Sequence, residues 1–288
     1  MLQRMEAAES KQNHRKLSAT SARPQQKHPI QLPSVTASRI KLRDLAYKEH
    51  GVPKDTAKYK IVYVHGFTSC RHYTVSATTL TLDVIEDLGI YIVSFDRPGY
   101  GESDPNPNQT VKSISLDVEE LADQLGLGLK FYVIGYSMGG QLTWSCLKYI
   151  THRLAGAILI APVVNYWWPA QSPGVLSRQD SELVSVFSTA ERKEFEAQVR
   201  QQGEYVSLHR DLIIGFGTWE FDPMELKNPF PSNEEVQVHL WQGDEDMIVP
   251  VTLQRHIDPH GFIIMKLQGV ATCSLLRMEW AMQSSMHF

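Results

Sequence analysis

The chain has 288 residues, a formal charge of −4 and 21% charged residues, which suits one large soluble α/β domain or a core with a small cap. There is no basic stripe for nucleic acid and no apolar run long enough to span a membrane, so the expected partner is a small-molecule substrate or ligand. Cys70, Cys146 and Cys273 lack paired or metal-type spacing, which implies neither a disulfide framework nor a metal site and fits a reducing, cytoplasmic setting.

Residues 1–37 are rich in Gln, Lys, Arg, Ser and Pro and poor in large apolar residues, so they read as a disordered leader. Their basic excess (Arg4, Lys11, Arg15, Lys16, Arg23 and Lys27 against Glu6 and Glu9) leaves an organelle transit segment as the alternative. Residues 38–288 then form one domain. Ser38 to Tyr47 alternates like a strand, and Lys60 to Val64 is a buried-type strand ending at His65-Gly66-Phe67. Thr74 to Leu88 has helical spacing, Ile90 to Phe95 is a strand, and Asp96-Arg97-Pro98-Gly99-Tyr100-Gly101-Glu102-Ser103 turns into a helix over Ser113 to Leu125 with Ser113 as N-cap. Phe131 to Ile134 is the next strand, Gly140 to Ile150 the next helix, and Ala157 to Ala161 a further all-apolar strand. Alternation of this kind specifies a mostly parallel, doubly wound sheet covered on both faces.

Residues 163–235 break the rhythm with Trp167, Trp168, Trp219 and a helix-like stretch from Thr189 to Gln202, as a cap over the sheet's carboxyl edge would. The core resumes at Val236 to Trp241, followed by Gly243-Asp244-Glu245-Asp246.

Chemistry is concentrated in Gly135-Tyr136-Ser137-Met138-Gly139, which sits between a strand and a helix. A serine on so tight a turn adopts a strained backbone conformation that lifts its hydroxyl toward a substrate, and side chains at positions 135 or 139 would collide with neighbouring elements. His65 reads as a turn histidine bonded to nearby backbone in preference to a proton carrier, while Asp96 and Arg97 brace their loop.

With these motifs present in order, the chain resembles the α/β-hydrolase superfamily from about residue 38 to 257, and most of all the plant members of its esterase-like branch. The resemblance implies Ser137 as nucleophile and the backbone N–H groups of Met138 and Phe67 as the oxyanion hole, where preorganised donors would stabilise the charge of an acyl-transfer intermediate. It implies Asp246 as the triad acid, because the family pattern places the acid three residues after a glycine and before a short apolar-Pro stretch, here Met247 to Pro250. Asp244 then reads as a solvated loop carboxylate. A serine at the elbow separates the chain from epoxide hydrolases and haloalkane dehalogenases of this fold, which attack with an aspartate. No cofactor is implied.

The family's general-base histidine follows the strand after the acid. That strand is predicted over Phe262 to Leu267, yet the loop behind it, Gln268 to Thr272, contains no histidine. His256, His260 and His287 read as surface residues, with His260 a possible substitute base. The tail, 258–288, also lacks the glycine-rich turn and closing amphipathic helix. Joining each codon's third base to the next two from residue 259 onward allows PWIHYHEAAGSGHLFPFADGMGDAIVNAF, with a strand, a Gly-x-Gly-His loop and a helix. Met and Trp have single codons, so the pairs Met265-Lys266, Met278-Glu279, Trp280-Ala281, Met282-Gln283 and Met286-His287 force Glu, Gly, Gly, Ala and Ala, and all five suit that string. The expectation is a shifted reading frame beginning near residues 256 to 259. The cap likewise reads as shortened near Trp168-Pro169.

The function expected is therefore a serine hydrolase for carboxylic esters or similar small acyl compounds, impaired here by the missing histidine. A non-catalytic, receptor-like ligand-binding protein and a non-functional isoform are the alternatives.

Overall fold

The computed structural model describes residues 30–33, 42–74, 82–163, 165, 206–226, 230, 238–246, 249, 251–254 and 263–268. A seven-stranded sheet organises them, built from β3 (Tyr47–Gly51), β4 (Tyr59–Val64), β5 (Ile90–Phe95), β6 (Phe131–Tyr136), β7 (Leu154–Ile160), β8 (Val238–Gly243) and β9 (Ile263–Leu267) in the spatial order β3-β5-β4-β6-β7-β8-β9. Only the edge strand β3 runs antiparallel to its neighbour. Two shorter strands, β1 (Ile30–Pro33) and β2 (Leu42–Leu45), form a separate antiparallel pair, so β1 occupies part of the stretch that composition reads as a leader.

The near-continuous apolar strands follow from burial on both faces. Along β4, Val62 and Val64 point into one core and Ile61 and Tyr63 into the other, all at most 1% exposed. The first core is covered by α2 (Val111–Gln124) and α3 (Met138–Tyr149), the second by α1 (Leu82–Leu88), whose Ile85 is buried there. Helices on opposite faces make the sheet doubly wound, as the alternation predicts.

On α2 the buried residues Ile114, Val118, Leu121 and Ala122 recur at helical spacing, and full burial of each large one contributes about 1.5–3 kcal/mol. Its start corrects the expectation at Ser113. The N-cap is Thr110, whose side chain accepts from the Ser113 N–H at 3.0 Å while Ser113 Oγ accepts from the Thr110 N–H at 2.9 Å. Ser113 is thus the reciprocal partner of a capping box, with serine in the place usually taken by Glu or Gln. Of the strand expected over Ser38 to Tyr47, residues 38–41 lie outside the described residues, and the rest is divided, because Ala46 directs its N–H to Ser103 Oγ and its carbonyl to the Asp96 N–H, breaking the run between two sheets. The helix expected over Thr189 to Gln202 lies outside the described residues; the cap region's described helix is α4 (Val206–Phe216).

At the β3 edge, burial first and then neighbouring cations lower His50 and His72 to pKa values of about 4; Lys48 acts on both, and Arg71 on His72. In the unfolded chain both take protons near pH 6.5, so between 6.5 and 4 the unfolded state binds more protons and stability declines as pH falls. The melting temperature should therefore drop more steeply from pH 7 toward 4.5 in the parent than in His50→Gln/His72→Gln. Identical slopes would refute this account.

Candidate active site

β4 lies at the switch point of the sheet, since the chain passes from it to β5 on one side and then crosses back to β6 on the other. Crevices at the carboxyl ends of such strands are where open α/β sheets bind ligands. Ser137 stands at the carboxyl end of β6 with φ 54° and ψ −118°, a backbone conformation a non-glycine residue holds only when its surroundings over-determine it. The surroundings do so here: its N–H donates to the Ile160 carbonyl at 2.9 Å, and its carbonyl accepts from the N–H groups of Gln141 and Val163, each at 3.1 Å. The residue is partly exposed, and α3 begins at the next position.

The flanking glycines are sterically required. A Cβ at Gly135 would lie 2.2 Å from Thr143 Oγ1 and 2.3 Å from the Gly139 carbonyl oxygen, and one at Gly139 would lie 2.1 Å from the Val64 carbonyl oxygen. All three distances are far inside van der Waals contact, so β4, β6 and the first turn of α3 approach this closely only where side chains are missing.

The facing wall is His65-Gly66-Phe67, beyond the end of β4, where Val64 registers with Gly135. Gly66 lies against the serine, since a Cβ there would sit 3.1 Å from Ser137 Cβ. His65 is buried and used twice: Nε2 accepts from the Arg97 N–H at 3.1 Å, so Nδ1 carries the proton and donates to the Gly66 carbonyl at 2.8 Å. Burial, with Arg97 nearby, holds its pKa well below the ordinary histidine value, which keeps the ring neutral. It is the turn histidine that the sequence suggests.

Asp246 follows β8 and is 6% exposed. Its Oδ1 accepts from the Val249 N–H at 2.8 Å and its Oδ2 from Gln242 Nε2 at 3.1 Å, while the same Gln242 amide donates to the Val249 carbonyl at 2.6 Å. Asp244, in the turn before it, is half-buried. Successive registers, Tyr136 with Ile160 and Ile160 with Trp241, bring the ends of β6, β7 and β8 to one edge, so Ser137 and Asp246 share that edge. β9 occupies the strand position expected beyond the acid, whereas His256, His260, His287 and the loop 269–272 lie outside the described residues.

A model of the alpha/beta hydrolase family matches residues 61–268, most of the chain and all the elements just described from β4 to β9. The chain belongs to the alpha/beta hydrolase family. One relative of this hydrolase is a Bacillus subtilis protein named as a 2-succinyl-6-hydroxy-2,4-cyclohexadiene-1-carboxylate synthase, 32% identical over 107 residues that make up 36% of each chain. The match therefore spans about a third of that relative's length. Among solved structures, an esterase from Exiguobacterium antarcticum superposes with a TM-score of 0.64 at 14% identity, covering 91% of this chain and 100% of the esterase. A thermophilic esterase from Thermogutta terrifontis gives 0.58 at 20% identity, covering 90% and 95% respectively. At these identities the structures speak for the fold.

Sequence reading left Gln242 and Asp211 unassigned and gave Arg97 only a local role. Gln242 orders the Asp246 turn; it falls just past the strand predicted over Val236 to Trp241, and its full burial is visible only in the structure. Arg97, expected only to brace its loop, is fully buried and bonded to Asp211 of α4 at 2.5 and 2.6 Å. Asp96 braces the same loop separately, accepting from the Arg71 N–H at 2.7 Å and from the Arg71 guanidinium, which also reaches Glu102. The available signal for Asp211 was its four-residue spacing from Ser207 and from Gly215, which places the three on one face of the helix. Among the described residues, no helix is long and apolar enough to cross a membrane.

Proposed function

We propose that this hydrolase is built to cleave carboxylic esters or similar small acyl compounds, with Ser137 as nucleophile, the backbone N–H groups of Met138 and Phe67 as oxyanion hole, and Asp246 as the acid that orients a histidine base. In that reaction Ser137 Oγ attacks the acyl carbon, its proton passes to the base and then to the departing alcohol, and water releases the acyl group from the serine by the reverse route. The observation that carries this reading is the left-handed backbone of Ser137, wedged between two glycines whose absent side chains let strand and helix close around it.

The chain as it stands lacks a histidine in the loop after β9, so its turnover is impaired, with His260 the candidate substitute. A shifted frame from about residue 259 is supported by the five Met- and Trp-bearing pairs in the tail and would explain the loss; the likeness to plant esterase-like members rests on the same ordered motifs. Sequencing the transcript across that region tests it, and an intact frame with no alternative form ends it.

A fluorophosphonate probe tests the nucleophile. Covalent modification mapped to Ser137, slow in this chain, faster once the shifted-frame tail supplies a histidine, and lost in Ser137→Ala, is the expected result. Stabilisation by ligand without labelling of either form would replace it with the ligand-binding reading.

A further inference from the structure

The geometry points to Arg97 as a positioning residue that fixes the oxyanion-hole peptide, and to Asp211 of the cap-region helix as the group that locks it there. This rests on the serine-hydrolase reading above. The peptide unit between residues 66 and 67 has the Gly66 carbonyl on one side and the Phe67 N–H on the other. In a trans peptide these point in opposite directions within one plane, so anchoring the carbonyl aims the amide.

The anchor is double. Arg97 donates to the Gly66 oxygen at 2.9 Å, and His65 Nδ1–H donates to it at 2.8 Å. Hydrogen bonds to a carbonyl polarise its amide group, and a cationic donor does so more strongly, which makes the attached N–H a better donor. The loop needs such restraint, because Thr68, two residues on, holds a φ of 48°.

Asp211 determines where the guanidinium sits. It receives both terminal nitrogens of Arg97, at 2.5 and 2.6 Å, and accepts a third hydrogen bond from Tyr100 Oη at 2.6 Å, all three side chains being at most 3% exposed. The rest of that face of α4 is docked on the same machinery. Ser207 Oγ donates to the Gly99 carbonyl, and the Gly215 carbonyl accepts from Gln141 Nε2 at 2.7 Å, four residues beyond Ser137. A stripe at positions 207, 211 and 215 thus seats one helix across both halves of the anion site, and movement of α4 would release the Phe67 donor.

The test uses the full chain with an alkyl fluorophosphonate, separating the maximal labelling rate from the half-saturating probe concentration, beside peptide-resolved hydrogen exchange. Asp211→Asn leaves Arg97 buried without its counter-ion and risks unfolding. Arg97→Leu/Asp211→Leu removes both charges, a replacement that buried ion pairs often tolerate. The double variant should fold, lose about 10- to 100-fold in maximal labelling rate at an unchanged half-saturating concentration, and exchange about tenfold faster over residues 65–71 with residues 111–124 unchanged. Retention of both the rate and the slow exchange overturns the assignment. So does faster exchange throughout the chain with rate and saturation affected together, which marks a role in stability alone. If neither the parent nor its form carrying the shifted-frame tail is labelled at Ser137, the nucleophile reading fails, and exchange over 65–71 then decides the anchor: faster sustains it, unchanged ends it.

Discussion

Replacing residues 259–288 with the string spelled by the shifted frame is expected to raise ester turnover by about a millionfold, the factor by which a serine–histidine pair exceeds a serine lacking its base. A neutral alcohol is a poor nucleophile. Near pH 7 it attacks an ester usefully only while a neighbour removes its proton, and the oxyanion donors proposed at Phe67 and Met138 cannot supply that step. What they retain is stabilisation of the charged intermediate, about 10³- to 10⁴-fold over water. The measurement is kcat for p-nitrophenyl acetate on both proteins, with Ser137→Ala in the replaced background cancelling the gain. Equal turnover in the two would show that this chain already holds a working base, and the proposal for the tail would be abandoned.

Gly139→Ala should destabilise the fold by about 3 kcal/mol or more, as overpacking against immovable backbone does. The added Cβ would meet the carbonyl oxygens of Val64 at 2.1 Å and His65 at 2.7 Å, so no flexible side chain can swing aside and α3 must lift from the sheet. Gly126→Ala is the matched control. Gly126, unlike the helical Gly139, has a positive φ, 65°, and nothing lies within 4 Å of the added atom, leaving a backbone cost of about 1 kcal/mol. Urea unfolding of the two variants separates collision from conformational strain. A Gly139→Ala protein within about 1 kcal/mol of the parent would show that strand and helix do not approach so closely.

What could be read in advance follows from where physics acts locally. Strands buried on both faces advertise themselves as apolar runs, and β5 was expected at Ile90 to Phe95, where it lies. The elbow was legible because its glycines answer a short-range collision. Thr110 was missed because Ser113 offered an equally good capping oxygen and only the reciprocal geometry chooses between them. The Arg97–Asp211 pair was invisible for another reason: its members are 114 residues apart, and no periodicity connects a loop arginine to an acid on a distant helix. Sequence indicated where a proton should leave, but not which side chains hold the receiving peptide in place.

The strand order carries a consequence for biosynthesis. β3, β5, β4, β6 and β7 are contiguous neighbours in the sheet and all come from residues 47–160, whereas β8 and β9 add at one end. As the polypeptide leaves the ribosome, that five-stranded block can pair internally before residues 161–288 are translated, leaving the outer edge of β7 for β8. Alterations downstream therefore meet a scaffold already assembled, which lets such a protein lose its chemistry while keeping its shape.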